Sequence, residues 1–209
     1  MADQERELTG AEQARKEAFK RTRAAYEAQG YRYRPLVISV IAANVGAVAL
    51  ALPLDILLGI GFFLLHPEGS GTFDLLGMLL VLVAFLALIV VHELIHGLVW
   101  GICAKRHWKA VSFGVIWKYL TPYCTCDEPL SRRAYVAGAL APTIVLGLVP
   151  VAVAYVTGSI LWLGIGLLMI LGGGGDLAIV LKMLRFKPDG ADVLYLDHPY
   201  ECGLVAFVR

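Results

Sequence analysis

Apolar residues fall in four long blocks, within 36–65, from 75 to about 104, from 134 to 156 and from 160 to 184, and charged residues sit almost entirely between and around them. An isolated helix needs about 20 predominantly apolar residues to cross the hydrocarbon of a bilayer. Each block therefore predicts one transmembrane helix. The connections differ sharply in charge. Residues 66–74 contain no Lys or Arg and 157–159 is a bare Thr-Gly-Ser, whereas 105–133 carries six basic residues, the tail from Lys182 four, and the first 35 residues eight alongside six acids. Basic loops stay on the cytoplasmic side. Both termini and the central loop are thus expected in the cytoplasm, with the two short turns facing outward.

Smaller patterns fill the gaps. Thr9 and Glu12 have capping-box spacing, and Ala11, Ala14, Ala18, Thr22 and Ala25 form a small-residue stripe that ends before Gly30, which predicts a short surface helix. The first span is long, and Pro53 with Asp55 interrupts it, so its outer part is expected to tilt, kink or bend into the interface. Within the central loop, 109–126 is rich in Val, Phe, Ile, Trp, Tyr and Thr, the composition of strands. A hairpin near the membrane surface follows. A further strand is expected at 203–208, after the turn-like Asp197-His198-Pro199. The predicted fold is an all-α integral membrane protein: four transmembrane helices with a small cytoplasmic β-hairpin between helices 2 and 3. Residues 1–35 form a cytoplasmic N-terminal segment, 36–184 the membrane domain and 185–209 a cytoplasmic tail.

Composition agrees with this pattern. Hydrophobic residues make up 58% of the 209 positions, above the roughly 45–50% of soluble domains. A net charge of +1 argues against a nucleic-acid surface, which needs a clustered basic excess. Membrane lipid is the partner the chain itself implies. Cys103, Cys124, Cys126 and Cys202 make no disulfide framework, and reduced thiols are expected. Cys124 and Cys126 alternate onto one strand face; a soft metal there is the alternative to two buried thiols. The N-terminal 35 residues hold no apolar h-region, so the first hydrophobic block is expected to direct insertion.

The chemistry gathers in the second block. Its run HELIHG places His92 and His96 at i and i+4, one helical turn apart on one face, with Glu93 beside them. Two such imidazoles reach a single zinc ion, which in catalytic sites takes three protein ligands and keeps a position for water, while the Glu accepts a proton as that water attacks a carbonyl. The other reading is a neutral hydrogen-bonded cluster that locks two helices together. Ionisable groups inside an apolar span cost about 2.5–3.5 kcal/mol each, which favours the metal. Asp176, the only acid of the fourth span, is the candidate third ligand. At about 1.5 Å per residue, its depth below Lys182 and Arg185 matches that of His96 below Lys105. The preceding Gly172–Gly175 run permits close approach or a local break, although Asp176 pairing with Lys182 is the alternative. Asp55 lies nearer the outer leaflet and reads as structural or interfacial. His107 reads as a solvated loop residue and His198 as a turn residue.

HELIHG on a membrane helix, a strand-rich loop, Leu140-Ala141-Pro142 in the next span, then Gly174-Gly175-Asp176 resembles the putative zincin peptidase family of bacterial membrane proteins, from about residue 81 to the C-terminus. Asp197-His198-Pro199 looks like that family's usual ending. More distantly, an HExxH helix followed by a later-helix aspartate is similar to the site-2 intramembrane metalloproteases. That resemblance implies His92, His96 and Asp176 as zinc ligands, Glu93 as general base, and a membrane-protein or peptide substrate. Two departures stand out: Ala141 precedes Pro142 where site-2 proteases have Asn, and Leu177 follows Asp176 where they have Gly. Peptide cleavage is the leading expectation. The competing class is a non-catalytic membrane protein with a structural or sensory metal site, which would not need Glu93. A transporter would line a path across the bilayer with polar groups, whereas here, Asp55 apart, they gather in the cytoplasmic half. Under the peptidase reading, the strand-like 111–119 is available to pair with an extended substrate; a hairpin that merely covers the metal site is the alternative.

Overall fold

A computed structural model describes residues 10–68, 75–116, 121–199 and 201–209. Helix α1 (Gly10–Ala28) leads into strand β1 (Arg32–Val37), and the Ser39 hydroxyl then caps helix α2 (Val40–Leu65) by accepting the Ala42 N–H at 3.1 Å. α2 carries Pro53 internally and runs unbroken to Leu65. α3 (Leu75–Cys103) follows, then a short turn and the hairpin of β2 (Val111–Ile116) and β3 (Thr121–Cys126). Strand β4 (Leu130–Ser131) opens α4 (Arg132–Pro142), which continues through a π-helical stretch (Thr143–Leu148) into α5 (Val149–Thr157). Helices α6 (Ile160–Gly172) and α7 (Gly174–Arg185) precede β5 (Val193–Asp197) and β6 (Gly203–Val208).

Among the described residues, three helical segments, Ile41–Leu65, Leu75–Cys103 and Arg132–Thr157, are long and apolar enough to cross a membrane. α6 and α7 make a fourth if the pair, bent by 46°, is counted as one span. Several apolar helices of this length point to a membrane protein. Ala51, Phe62, Val151, Ala154, Leu163 and Ile170 form the core that joins α2, α5 and α6.

The chain is mostly helical, but it has more β-structure than the expected hairpin. β1, β6, β5 and β4, in that order, make a four-stranded antiparallel sheet. Leu36 and Val37, expected to begin the first span, instead pair with Leu204 and Gly203. Their apolar character comes from sheet burial and merges in the sequence with the helix that follows. β6 shows why a continuous apolar run can be a strand. Leu204, Ala206 and Val208 join a core with Trp100, Tyr135 and Met183, whereas Val205 and Phe207 join one with Phe19 and Tyr31. Period-2 alternation puts successive residues on opposite faces, and here both faces are covered.

α1 supplies one of those covers. Phe19 is its buried contact, with Tyr26 stacked on Phe207 and the Arg23 guanidinium 4.1 Å from the centre of the Tyr33 ring. Ala25 is exposed. The Thr9 half of the capping box lies outside the described residues.

Candidate metal centre

His92 and His96 are buried on α3, and their Nε2 atoms stand 3.1 Å apart. Asp176, near the start of α7, brings its Oδ2 to 3.1 Å from His92 Nε2 and 3.4 Å from His96 Nε2. Among the described residues these three form a group with metal-ligand spacing. Lys182 does not compete for Asp176; its ammonium donates to the Val37 carbonyl at 2.6 Å.

Glycines set this meeting. A Cβ on Gly174 would stand 2.7 Å from the Ala47 carbonyl oxygen, so α7 approaches α2 by backbone contact. One on Gly173 would meet the Thr143 hydroxyl at 2.3 Å. The chain can bend between α6 and α7 against α2 and the π-helical stretch only with bare backbone at these two positions. That bend delivers the carboxylate to α3.

The rest of the shell fixes the imidazoles. The Gly138 carbonyl of α4 accepts from His96 Nδ1 at 2.8 Å. A carbonyl can only accept, so Nδ1 carries a proton, which makes Nε2 the nitrogen that offers its lone pair to the centre when the ring is neutral. Trp100, one turn further along α3, stacks on His96 with ring centres 5.1 Å apart and planes 16° from parallel, and donates its indole N–H to the Tyr135 carbonyl at 3.2 Å.

The donor set fits zinc. Tetrahedral ligands at about 2.0–2.1 Å from the ion stand roughly 3.3 Å apart. Here the three facing atoms are separated by 3.1, 3.1 and 3.4 Å. Neutral imidazoles ligating through Nε2, together with the Asp176 carboxylate, turn three lone pairs toward one point. A cation at the centre satisfies all three lone pairs at once.

Glu93 stands outside the triad. The next residue in a helix is turned about 100° from its neighbour, and the Glu93 carboxylate lies against the hairpin, facing the Cys124 backbone N–H. The hairpin is seated on α3: a Cβ on Gly97 would stand 2.4 Å from the Phe113 ring and 3.1 Å from Val111. Cys124 and Cys126 lie buried on that same inner face. Burial pushes the Cys126 thiol up to about 12 and Cys124 higher still, and Cys126 Sγ donates to the Glu128 carbonyl. Both are free thiols.

The other singled-out residues fall elsewhere. Asp55 takes no part in the His92–His96–Asp176 group, and its Oδ1 is buried with no hydrogen-bond partner among the described residues. His107 is exposed in the turn after α3. His198 is a turn residue whose Nδ1 accepts the Glu201 N–H at 3.0 Å. Sequence reasoning missed Gly138, Tyr135 and Trp100. The indole does continue the His92, His96 spacing by one further turn.

The family model described as "Putative zincin peptidase" matches residues 85–191, which run from α3 through the hairpin and α4 to the end of α7 and beyond. The chain belongs to that family. No curated protein and no solved structure matches it.

Proposed function

We propose that the chain is a zinc-dependent peptidase that acts within or beside the cytoplasmic membrane, with His92, His96 and Asp176 as ligands and Glu93 as general base. The carrying observation is the division of labour between these groups: three lone-pair atoms from α3 and α7 converge at zinc spacing, and the Glu93 carboxylate lies beside them on the histidines' helix without joining them. His92, His96 and Asp176 would hold the ion, and zinc bound there would supply an acidified water and polarise a carbonyl. Glu93 is the group that would take a proton from a water attacking the peptide carbonyl and return it to the leaving amine. The Gly138 carbonyl keeps His96 in the ligating tautomer, and the apolar surroundings strengthen the charge interactions of the site.

Membership of the zincin peptidase family supports this reading, and the apolar helices support a membrane location. β1 before α2, β4 before α4, and β5 and β6 after α7 belong to one sheet, so those helix ends lie on one side. With the basic loops, this supports cytoplasmic termini. The substrate is a membrane protein or peptide that reaches the hairpin as an extended segment. β2 offers it an outer edge that pairs with no described strand.

The test is cleavage of candidate membrane-protein substrates by the purified chain in lipid nanodiscs. Turnover by the parent that is blocked by a zinc chelator and absent in Glu93→Gln supports the proposal. Cleavage that persists in Glu93→Gln with zinc retained contradicts it.

A further inference from the structure

We propose that Asp197 is a positioning residue for Glu93: its carboxylate pins the β3 edge against which the base lies. The inference rests on the peptidase reading for its consequence, while the anchoring itself stands on geometry alone.

The hairpin register fixes which main-chain groups face outward. Asp127 N–H donates to the Ala110 carbonyl at 2.8 Å, which makes 110 and 127 a hydrogen-bonded pair. Antiparallel pairs alternate, so Val111↔Cys126 and Phe113↔Cys124 are non-hydrogen-bonded pairs, and the N–H groups of Cys124 and Cys126 point away from β2. Both point to carboxylates. Cys124 N–H faces Glu93, and Cys126 N–H donates to Asp197 Oδ2 at 3.2 Å. Two residues along a strand is under about 7 Å. A slip or tilt of β3 at one contact is therefore felt at the other.

The second oxygen of Asp197 ties this edge to the metal shell. Oδ1 accepts the Tyr135 hydroxyl at 2.6 Å. Tyr135 lies one turn before Gly138 on α4, where the Gly138 carbonyl holds His96 and the Tyr135 carbonyl holds Trp100. One carboxylate thus bridges the strand that touches the base and the helix that orients a ligand. It also borders a cavity of about 240 Å³ between α1, the hairpin and β5. Asp197 touches neither the triad nor Glu93, so it acts through β3 and α4. Its removal should loosen Glu93 and leave the three ligands in place.

The experiment uses the full chain in nanodiscs as parent, Asp197→Ala, Asp197→Asn, Tyr135→Phe and Glu93→Gln. Three quantities are read: zinc per chain, amide hydrogen exchange over 121–126, and the pH midpoint of the visible absorption after cobalt replaces zinc. Asp197→Ala should keep parental metal, exchange 121–126 roughly tenfold faster or more, and move the cobalt midpoint in the direction that Glu93→Gln moves it. Asp197→Asn retains an acceptor for Cys126 N–H and should restore parental exchange. Parental exchange over 121–126 in Asp197→Ala, or an unmoved cobalt midpoint, overturns the proposal. Should Asp197→Ala fail to fold, Tyr135→Phe decides: faster exchange in the hairpin supports the bridge, and parental exchange overturns it. A parent that binds neither metal would sink the peptidase reading, and hydrogen exchange would still judge the anchor.

Discussion

Gly138 shows how much of the centre depends on one missing methyl group. A Cβ there would lie 2.0 Å from the Trp100 indole nitrogen, in the space between the carbonyl that holds His96 and the ring stacked on it. Gly138→Ala must push Trp100 aside or shift α4, and either motion releases His96. Loss of an outer-shell partner typically weakens metal binding about 10–100-fold, and chelator competition on the variant should show a weakening of that order. Asp197 carries a different residue-scale prediction. Burial raises its carboxyl to about 6 from an ordinary 3.8. Tyr135 and Cys126 bond to it, the Cys124 and Cys126 thiols stand near it, Asp127 lines the same cavity, His198 adjoins it, and the charges of Asp176 and His96 act from further away. The folded chain therefore keeps this proton through a window in which the unfolded chain has released it. The associated stability is fully present below the unfolded value and is lost as pH rises through the folded one. Asn imitates the protonated acid and does not titrate. The thermal midpoint of Asp197→Asn relative to the parent should rise between about pH 4 and about pH 7; a constant difference would contradict the assignment.

At the scale of elements, two features set the geometry: the bend between α6 and α7 and the seating of the hairpin. Gly174→Val would drive a branched side chain into the Ala47 carbonyl, move α7 off α2 and withdraw Asp176 from the histidines. Zinc should be lost from this variant although every ligand is intact. The hairpin prediction concerns β2. By the same alternation that turns Cys124 N–H outward on β3, Val115 N–H points out from the free edge of β2, and Val115 is exposed. Val115→Pro removes this donor and spares the ladder. If substrate adds to that edge, KM should rise severalfold with zinc unchanged; an unchanged KM would remove β2 as the docking strand. Legibility in the sequence divides along these lines. The long apolar blocks, the hairpin and the strand at 203–208 were readable because length and composition mark them. β1 was not, because Pro35-Leu36-Val37 runs without a break into the apolar block of α2. The His92, His96 and Asp176 meeting was readable because helical spacing and depth from the flanking charges are one-dimensional quantities. The Gly138 carbonyl, the Tyr135 to Asp197 bridge and the Cys124 N–H were not, since each is a contact between distant segments made through groups that carry no distinctive residue pattern.

The whole molecule is arranged as an apolar helical body with its sheet, its hairpin and α1 gathered at one end. Trp100, Tyr135, Val180 and Met183 share a core with Tyr195, Leu204 and Ala206, which fastens the sheet beneath the helices that carry the site. Phe19 and Tyr26 of α1 close the other face. If this end is cytoplasmic, the turn after α2 is external. In a chain stripped of its four cysteines, a single cysteine at Glu68 should react with an impermeant maleimide from outside intact cells, and one at Asp189 should react only after lysis. The reverse pattern would invert the topology. The central claim, however, is the metal, and elemental mass spectrometry of the purified parent, His92→Ala, Asp176→Ala and Glu93→Gln tests it most directly. About one zinc per chain, lost in the two ligand variants and kept in Glu93→Gln, is the predicted result. A folded parent without zinc would contradict the account and leave His92, His96 and Asp176 as a polar contact between helices.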